Sequence, residues 1–171
     1  MTLHRRANPI LDVNELISAP YSQLIETFTH RRPPRAHIDR LDDPVDRLHA
    51  MLLVLERSTP SLIGLLIDRD GCGDALVVVR ETSSVAVEID AVTRVVQSVT
   101  SDQTMRTIVS MSVLTTNGFG ACEHSAPPHD RETQLRRNAM RSIAEMGIDM
   151  LEWFALDDVL RVTEPDDVVQ G

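Results

Sequence analysis

The sequence contains no lysine: all 17 of its basic residues are arginine. A Schiff-base lysine and a P-loop lysine are therefore excluded from any mechanism. GC-rich codon usage produces such a composition, as avoidance of lysine-directed modification would. Aromatic residues make up only 3%, so aliphatic side chains must fill the core, and a platform of exposed rings for stacking bases is not expected. The two cysteines, Cys72 and Cys122, lie far apart and outside any CxxC spacing; both read as reduced thiols in a cytoplasmic protein. No apolar run approaches the ~18 residues of a membrane span, and no apolar run follows the basic residues of Met1 to Pro9, so neither a span nor a signal peptide is expected.

What is present is an ordinary globular composition, 42% hydrophobic and 25% charged over 171 residues, with a net charge of −9. That length suits one domain with a sizeable core. A field of that sign repels phosphate backbones and anionic membranes, so neither nucleic acid nor membrane is expected as a partner. Residues 1–43 hold four of the nine prolines and the basic patch from His30 to Arg35, which Asp39, Asp42 and Asp43 follow closely. They read as an arm, partly ordered or docking on the body or on a partner, with a short helical spacing at Tyr21, Leu24, Ile25 and Phe28.

The body begins at Asp43-Pro44, an N-cap followed by proline at the first helical position. Val45, Leu48, Leu52 and Leu55 mark one helical face. His49 lies off it as a surface residue, and the helix is expected to end near Ser58, before Pro60. Leu62–Ile67 and Ala75–Val79 are apolar runs on either side of an Asp- and Gly-rich loop, which predicts a hairpin. Asp68, Asp70 and Asp74 invite a calcium reading, but Gly71 is misplaced for an EF-hand and no closing Glu follows. A helix is predicted from Glu88 to Val99 and a strand from Thr107 to Leu114. A second helix follows from about Asp130 to Met146, with Leu135, Ala139, Ile143 and Met146 inward and Arg131, Arg136, Arg137 and Arg141 mostly outward. Met150–Leu156 is the last strand, and residues 157–171 read as a frayed acidic tail. The order helix, hairpin, helix, strand, helix, strand predicts an α/β (α+β) domain of three layers around a mixed sheet over residues 44–156.

The loop from Asn117 to Asp130 concentrates the candidate chemistry. His124, His129 and Glu132 are spaced by five and three, with Cys122 as a further soft ligand; three or four such groups converging would hold zinc. No recognised zinc spacing is present, and a solvated loop whose Asp130 or His129 caps the helix accounts for the same residues. Cys122 beside His124 or His129 has the residue types of a thiolate–imidazolium pair. Ser125, His124 and Asp130 form a triad only on paper, for no nucleophile-elbow motif surrounds the serine.

The hairpin Leu62–Val79, the strand Ile108–Thr115 entering the loop, Pro128-His129-Asp130-Arg131-Glu132 opening a helix, and Met146 to Trp153 closing it together resemble the JAB/JAMM (MPN) metallopeptidase-like domain in its bacterial RadC-like branch. In that family a His-x-His pair and an Asp from Ser-x-x-Asp hold zinc, and an upstream Glu activates water. Matched backwards from Gly147, the family's Asp falls on Glu132, its Ser on His129 and its two histidines on Phe119 and Ala121, which cannot bind zinc. Glu81 stands near the position of the upstream Glu. The resemblance implies a non-catalytic JAB/RadC-like interaction or regulatory domain, with a protein partner or a second copy of itself and no cofactor. The rival reading is a zinc-dependent hydrolase, a peptidase or isopeptidase, on a shifted site of His124, His129 and Glu132, with Glu132, Glu81 and Cys122 as catalytic candidates. A third, nucleic-acid binding through Arg31, Arg32, Arg35 and the 131–141 helix, is opposed by the net charge.

Overall fold

The two apolar runs fold back on each other as expected, as β1 (Ser61–Asp68) and β2 (Gly73–Arg80), paired antiparallel. The turn between them explains its own composition. Gly71 takes φ +82°, which favours glycine. An oxygen of Asp68 accepts hydrogen bonds from the amides of Asp70 (2.9 Å) and Cys72 (3.0 Å). That oxygen thus helps to close the turn, and the described residues contain no group of three or more His, Cys, Asp or Glu able to hold a metal. The composition of the acidic loop follows from the turn it makes.

In this computed structural model the described residues are 12–35, 38–56, 59–116 and 129–165. Five strands form one mixed sheet in the order β2-β1-β3-β4-β5, adding β3 (Ile108–Thr116), β4 (Asp149–Leu156) and β5 (Leu160–Thr163). β3 runs antiparallel to β1 and parallel to β4, and β5 returns antiparallel to β4. The parallel pair requires a crossover, which α5 (His129–Glu145) supplies.

The helices divide between the two faces of the sheet. α1 (Val13–Leu16), α2 (Tyr21–Thr29) and α3 (Pro44–Leu52) place Leu16, Leu24, Phe28, Val45 and Leu48 against Ile63, Leu65 and Phe154. α4 (Val85–Ser101) and α5 place Val92, Val96, Met140 and Ile143 against Leu62, Leu66 and Trp153. Successive strand residues point to opposite faces, so neighbours such as Trp153 and Phe154 anchor different cores, and both are fully buried. The three-layer, mixed-sheet architecture read from the sequence is what the chain forms.

Several elements differ from expectation. Residues from Asp12 onward belong to the first layer, where Leu16, Leu24 and Phe28 are buried. Each such side chain contributes roughly 1.5–3 kcal/mol, enough to hold helices too short to persist alone in water. The expected frayed tail contains β5, because Leu160 fills the first core and its amide bonds the Ala19 carbonyl. α3 ends at Leu52 rather than near Ser58, since the chain has to turn to enter β1; Leu53 is 56% exposed. His49, read as a surface residue, is buried at 2% exposure with its ring 4.7 Å from that of Phe28. It is buried although it lies off the face that α3 turns to the sheet, because Phe28 of the arm covers it. Arg136, read as outward, is buried, whereas Leu135 is 40% exposed. The inward stripe of α5 runs through 136, 139, 140 and 143, rotated by about one position from the predicted one.

Candidate functional site

Strand registers decide where chemistry can gather. Ser61 at the start of β1 pairs with Arg80 at the end of β2 and with Thr116 at the end of β3; Thr116 pairs in turn with Leu156 at the end of β4. One end of the sheet therefore collects the exits of β2, β3 and β4. The helices that follow β2 and β3 both begin there, so the N-termini of α4 and α5 meet at the carboxyl ends of the parallel strands, a common location for sites in α/β sheets.

Each of those helices carries an acid in its first turns, favoured by the positive end of the dipole. Ser84 caps α4 by accepting from the Val87 amide at 3.3 Å. One turn in, Glu88 is completely buried. Glu132 of α5 is half-buried. Between them stands Arg136, with Nη2 donating to Glu88 Oε2 at 3.2 Å and Nη1 lying 3.9 Å from Glu132 Oε2. The guanidinium also lies over the Trp153 ring, 5.8 Å from its centroid. The Trp153 indole donates to the Thr115 hydroxyl at 3.3 Å.

Among the described residues this network is incompletely satisfied. Glu88 Oε1, Arg136 Nε and the hydroxyl of buried Thr82, in the segment joining β2 to α4, have no hydrogen-bond partner among the described residues. Burial pushes the Glu88 carboxyl up to about 7, against the opposing pull of Arg136. Thr115, Glu132, Thr133, Arg136 and Arg161 help line a cavity of about 30 Å³ at this end, room for a water-sized group and far below a drug-sized ligand.

The candidate residues are placed unevenly. Cys122, His124 and Ser125 lie outside the described residues. His129 and Asp130 open α5 through their backbone, and their side chains lie outside the described set as well. Glu132 reaches the loop end of the sheet. Glu81 does not join it: exposed, with φ +63°, it follows β2 and gives its amide to the Pro60 carbonyl at 2.7 Å. Cys72 is a free thiol, pushed up by desolvation and by Asp68 and Asp70, the reverse of an activated nucleophile. Two arginines of the basic patch pair with acids that follow it, Arg31 with Asp46 at 2.9 Å and Arg35 with Asp39 at 2.9 Å, and Arg40 just beyond it pairs with Asp42 at 3.1 Å.

The described donors at the loop end are thus two carboxylates with a guanidinium between them. Zinc prefers nitrogen and sulfur ligands, and a second cation would sit against Arg136, so these residues do not by themselves fit a zinc centre. Glu88 and Arg136 were missed as site residues, although the sequence carries their signal. Glu88 stands on the stripe 88, 92, 96, 99 and Arg136 on the stripe 136, 139, 140, 143, one opposite charge in each otherwise apolar face.

Fold and cluster together define a three-layer α/β domain with a mixed five-stranded sheet and a buried ion pair at its loop end. No protein-family model and no curated protein matches the chain. No helix among the described residues is long and apolar enough to cross a membrane.

Proposed function

We propose that this chain is a non-catalytic domain of JAB/RadC-like type, acting in the cytoplasm as an interaction or regulatory module. The observation that carries the reading is Arg136. Where a hydrolase of that kind would need a bound cation beside its carboxylates, this chain supplies a fixed guanidinium, paired to Glu88 at 3.2 Å and held over Trp153. A divalent ion placed there would face that charge at short range in a poorly solvated pocket, where repulsion is strong. Phe119 and Ala121, at the positions of the family's histidines, support the same reading.

Elemental analysis of the untagged protein before and after chelation tests it. The expected result is no stoichiometric metal in either sample. One zinc per chain, removed by chelation and lost in His124→Ala, would overturn the proposal. It would restore the zinc-dependent hydrolase on His124, His129 and Glu132, whose remaining support is that Glu132 lines the cavity beside Thr115.

A further inference from the structure

We propose that β2 is the interface through which two copies of this chain pair, edge to edge and antiparallel, about a two-fold axis at Val77. β2 lies at the end of the strand order, and among the described residues seven of its eight positions, all but Asp74, pair with β1 and none with another strand. Such an edge offers a row of unmet amides and carbonyls, which proteins ordinarily blunt with lysine, proline or a very short strand. This chain has no lysine, β2 contains no proline, and eight residues make a long edge. The opposite edge, β5, has only four residues; each edge strand is flanked by one isolated bridge, Pro20 with Val159 before β5 and Arg40 with Cys72 before β2, so length is what separates them.

The occupant follows from the sequence of the strand, Gly-Asp-Ala-Leu-Val-Val-Val-Arg. Centred on Val77, antiparallel self-pairing sets Asp74 opposite Arg80 of the copy, Ala75 opposite Val79, and Leu76 opposite Val78. Opposite charges then meet at both ends, and apolar side chains meet between them. A centre one residue later sets Arg80 against Leu76; one residue earlier sets Asp74 against Val78. Both lose the charge pairs, so complementarity selects one register. The faces agree as well: Leu76 packs on the first core, and Ala75, Val77 and Val79 on the second, so opposed side chains extend the same core on each side. Val78, at 43% exposure, is covered in the process.

Two features bear on geometry. The register shift between Leu66 and Ile67 makes a bulge at the Asp74 end, leaving Ala75 to Val79 as the regular stretch that pairs, with the Asp74 and Arg80 side chains meeting at its two ends. Arg80 is held by Glu56 at 2.8 Å, but both side chains are more than half exposed. Such a pair is weak, leaving Arg80 free to share its guanidinium with the second carboxylate.

This goes beyond the non-catalytic reading and does not depend on it: metal content tests the loop end of the sheet, and oligomeric state tests β2. Sedimentation equilibrium of the full chain over a wide concentration range is expected to show a reversible monomer–dimer equilibrium. Asp74→Arg, which opposes two arginines at each end, is expected to weaken the dimer about tenfold, and Asp74→Arg with Arg80→Asp to restore it. Val78→Lys, a charge on the paired edge, is expected to weaken it without lowering the melting temperature of the monomer. A chain monomeric at every concentration would overturn the proposal. So would a dimer indifferent to both Asp74→Arg and Val78→Lys, since its interface would lie elsewhere.

Discussion

Among the described residues two Arg–Glu pairs are buried, one on each face of the sheet, and they are built differently. On the first face Arg47 meets Glu152 through two parallel hydrogen bonds of 2.7 and 2.8 Å, and its third nitrogen donates to the Leu41 carbonyl at 2.7 Å. Ser112 donates to the same carboxylate. The register shift between Met111 and Val113 in the β3–β4 pairing re-aims Glu152 toward α3, as bulges do. On the second face Arg136 reaches Glu88 through one contact of 3.2 Å, and both residues have buried polar atoms without partners among the described residues. A buried ion pair offsets its desolvation only when geometry is good and the remaining donors and acceptors are met. The Arg47 pair meets that condition and joins the arm, α3 and β4. The Arg136 pair does not, and it lies where strand exits and helix N-termini converge. The difference separates a pair that holds the fold from one held in place by it.

Breaking the first pair is expected to have the largest effect. Arg47→Ala leaves Glu152 buried with only Ser112 and is expected to cost about 3–5 kcal/mol of unfolding free energy in urea. A loss below about 1 kcal/mol would mean that solvent reaches Glu152, and the contrast would collapse.

The second pair is sharpened by pH. Burial raises the Glu88 carboxyl from its ordinary 4.5 to about 7, so the folded chain retains a proton that the unfolded chain has released. The stability this group contributes is full below about pH 4.5 and is lost as pH rises through about 7. Glu88→Gln mimics the protonated form. It is expected to be more stable than the parent at pH 8, by up to roughly 3 kcal/mol, and to match it near pH 4. If the variant is instead less stable at pH 8, pairing with Arg136 outweighs desolvation, and the two buried pairs are alike.

Much of this organisation was legible in the sequence because periodicity reports burial directly. The hairpin, the strand entering the loop, the two long helices and the three-layer mixed sheet all followed from apolar spacing and turn residues. The arm was harder to place. Its short apolar clusters are interrupted by prolines, and only tertiary packing shows that Leu24 and Phe28 close the first core. β5 was hidden for a related reason: Leu160–Thr163 is four residues long in an acidic context, too short for alternation to register. The cluster at the loop end stayed hidden because the predicted face of α5 is rotated by about one position, which turns Arg136 outward, and because Glu88 opens the predicted helix whereas it lies a turn inside α4. A charge within an apolar stripe marks a buried partner, and two helices with complementary charges at corresponding turns predict each other.

His49 supplies the smallest and most discriminating of these effects. Desolvation beside Phe28, reinforced by the Arg31 charge, pushes its imidazole down from 6.5 to about 4. Its folded form therefore resists protonation. The stability it contributes is present above about pH 6.5 and is lost as pH falls through about 4. That slope is opposite in sign to the slope from Glu88, and the two windows overlap between about pH 4.5 and 6.5. The parent protein is thus expected to show a nearly flat stability profile there, with two buried titrations concealed beneath it. His49→Leu removes one of them. The remaining Glu88 slope is then expected to emerge, with stability falling on the order of 1–2 kcal/mol from pH 4.5 to 6.5, while Glu88→Gln alone is expected to show the reverse slope. Urea midpoints of the two single variants and the double variant across this range measure it. A flat profile in all four proteins would mean that neither group is desolvated as its burial implies.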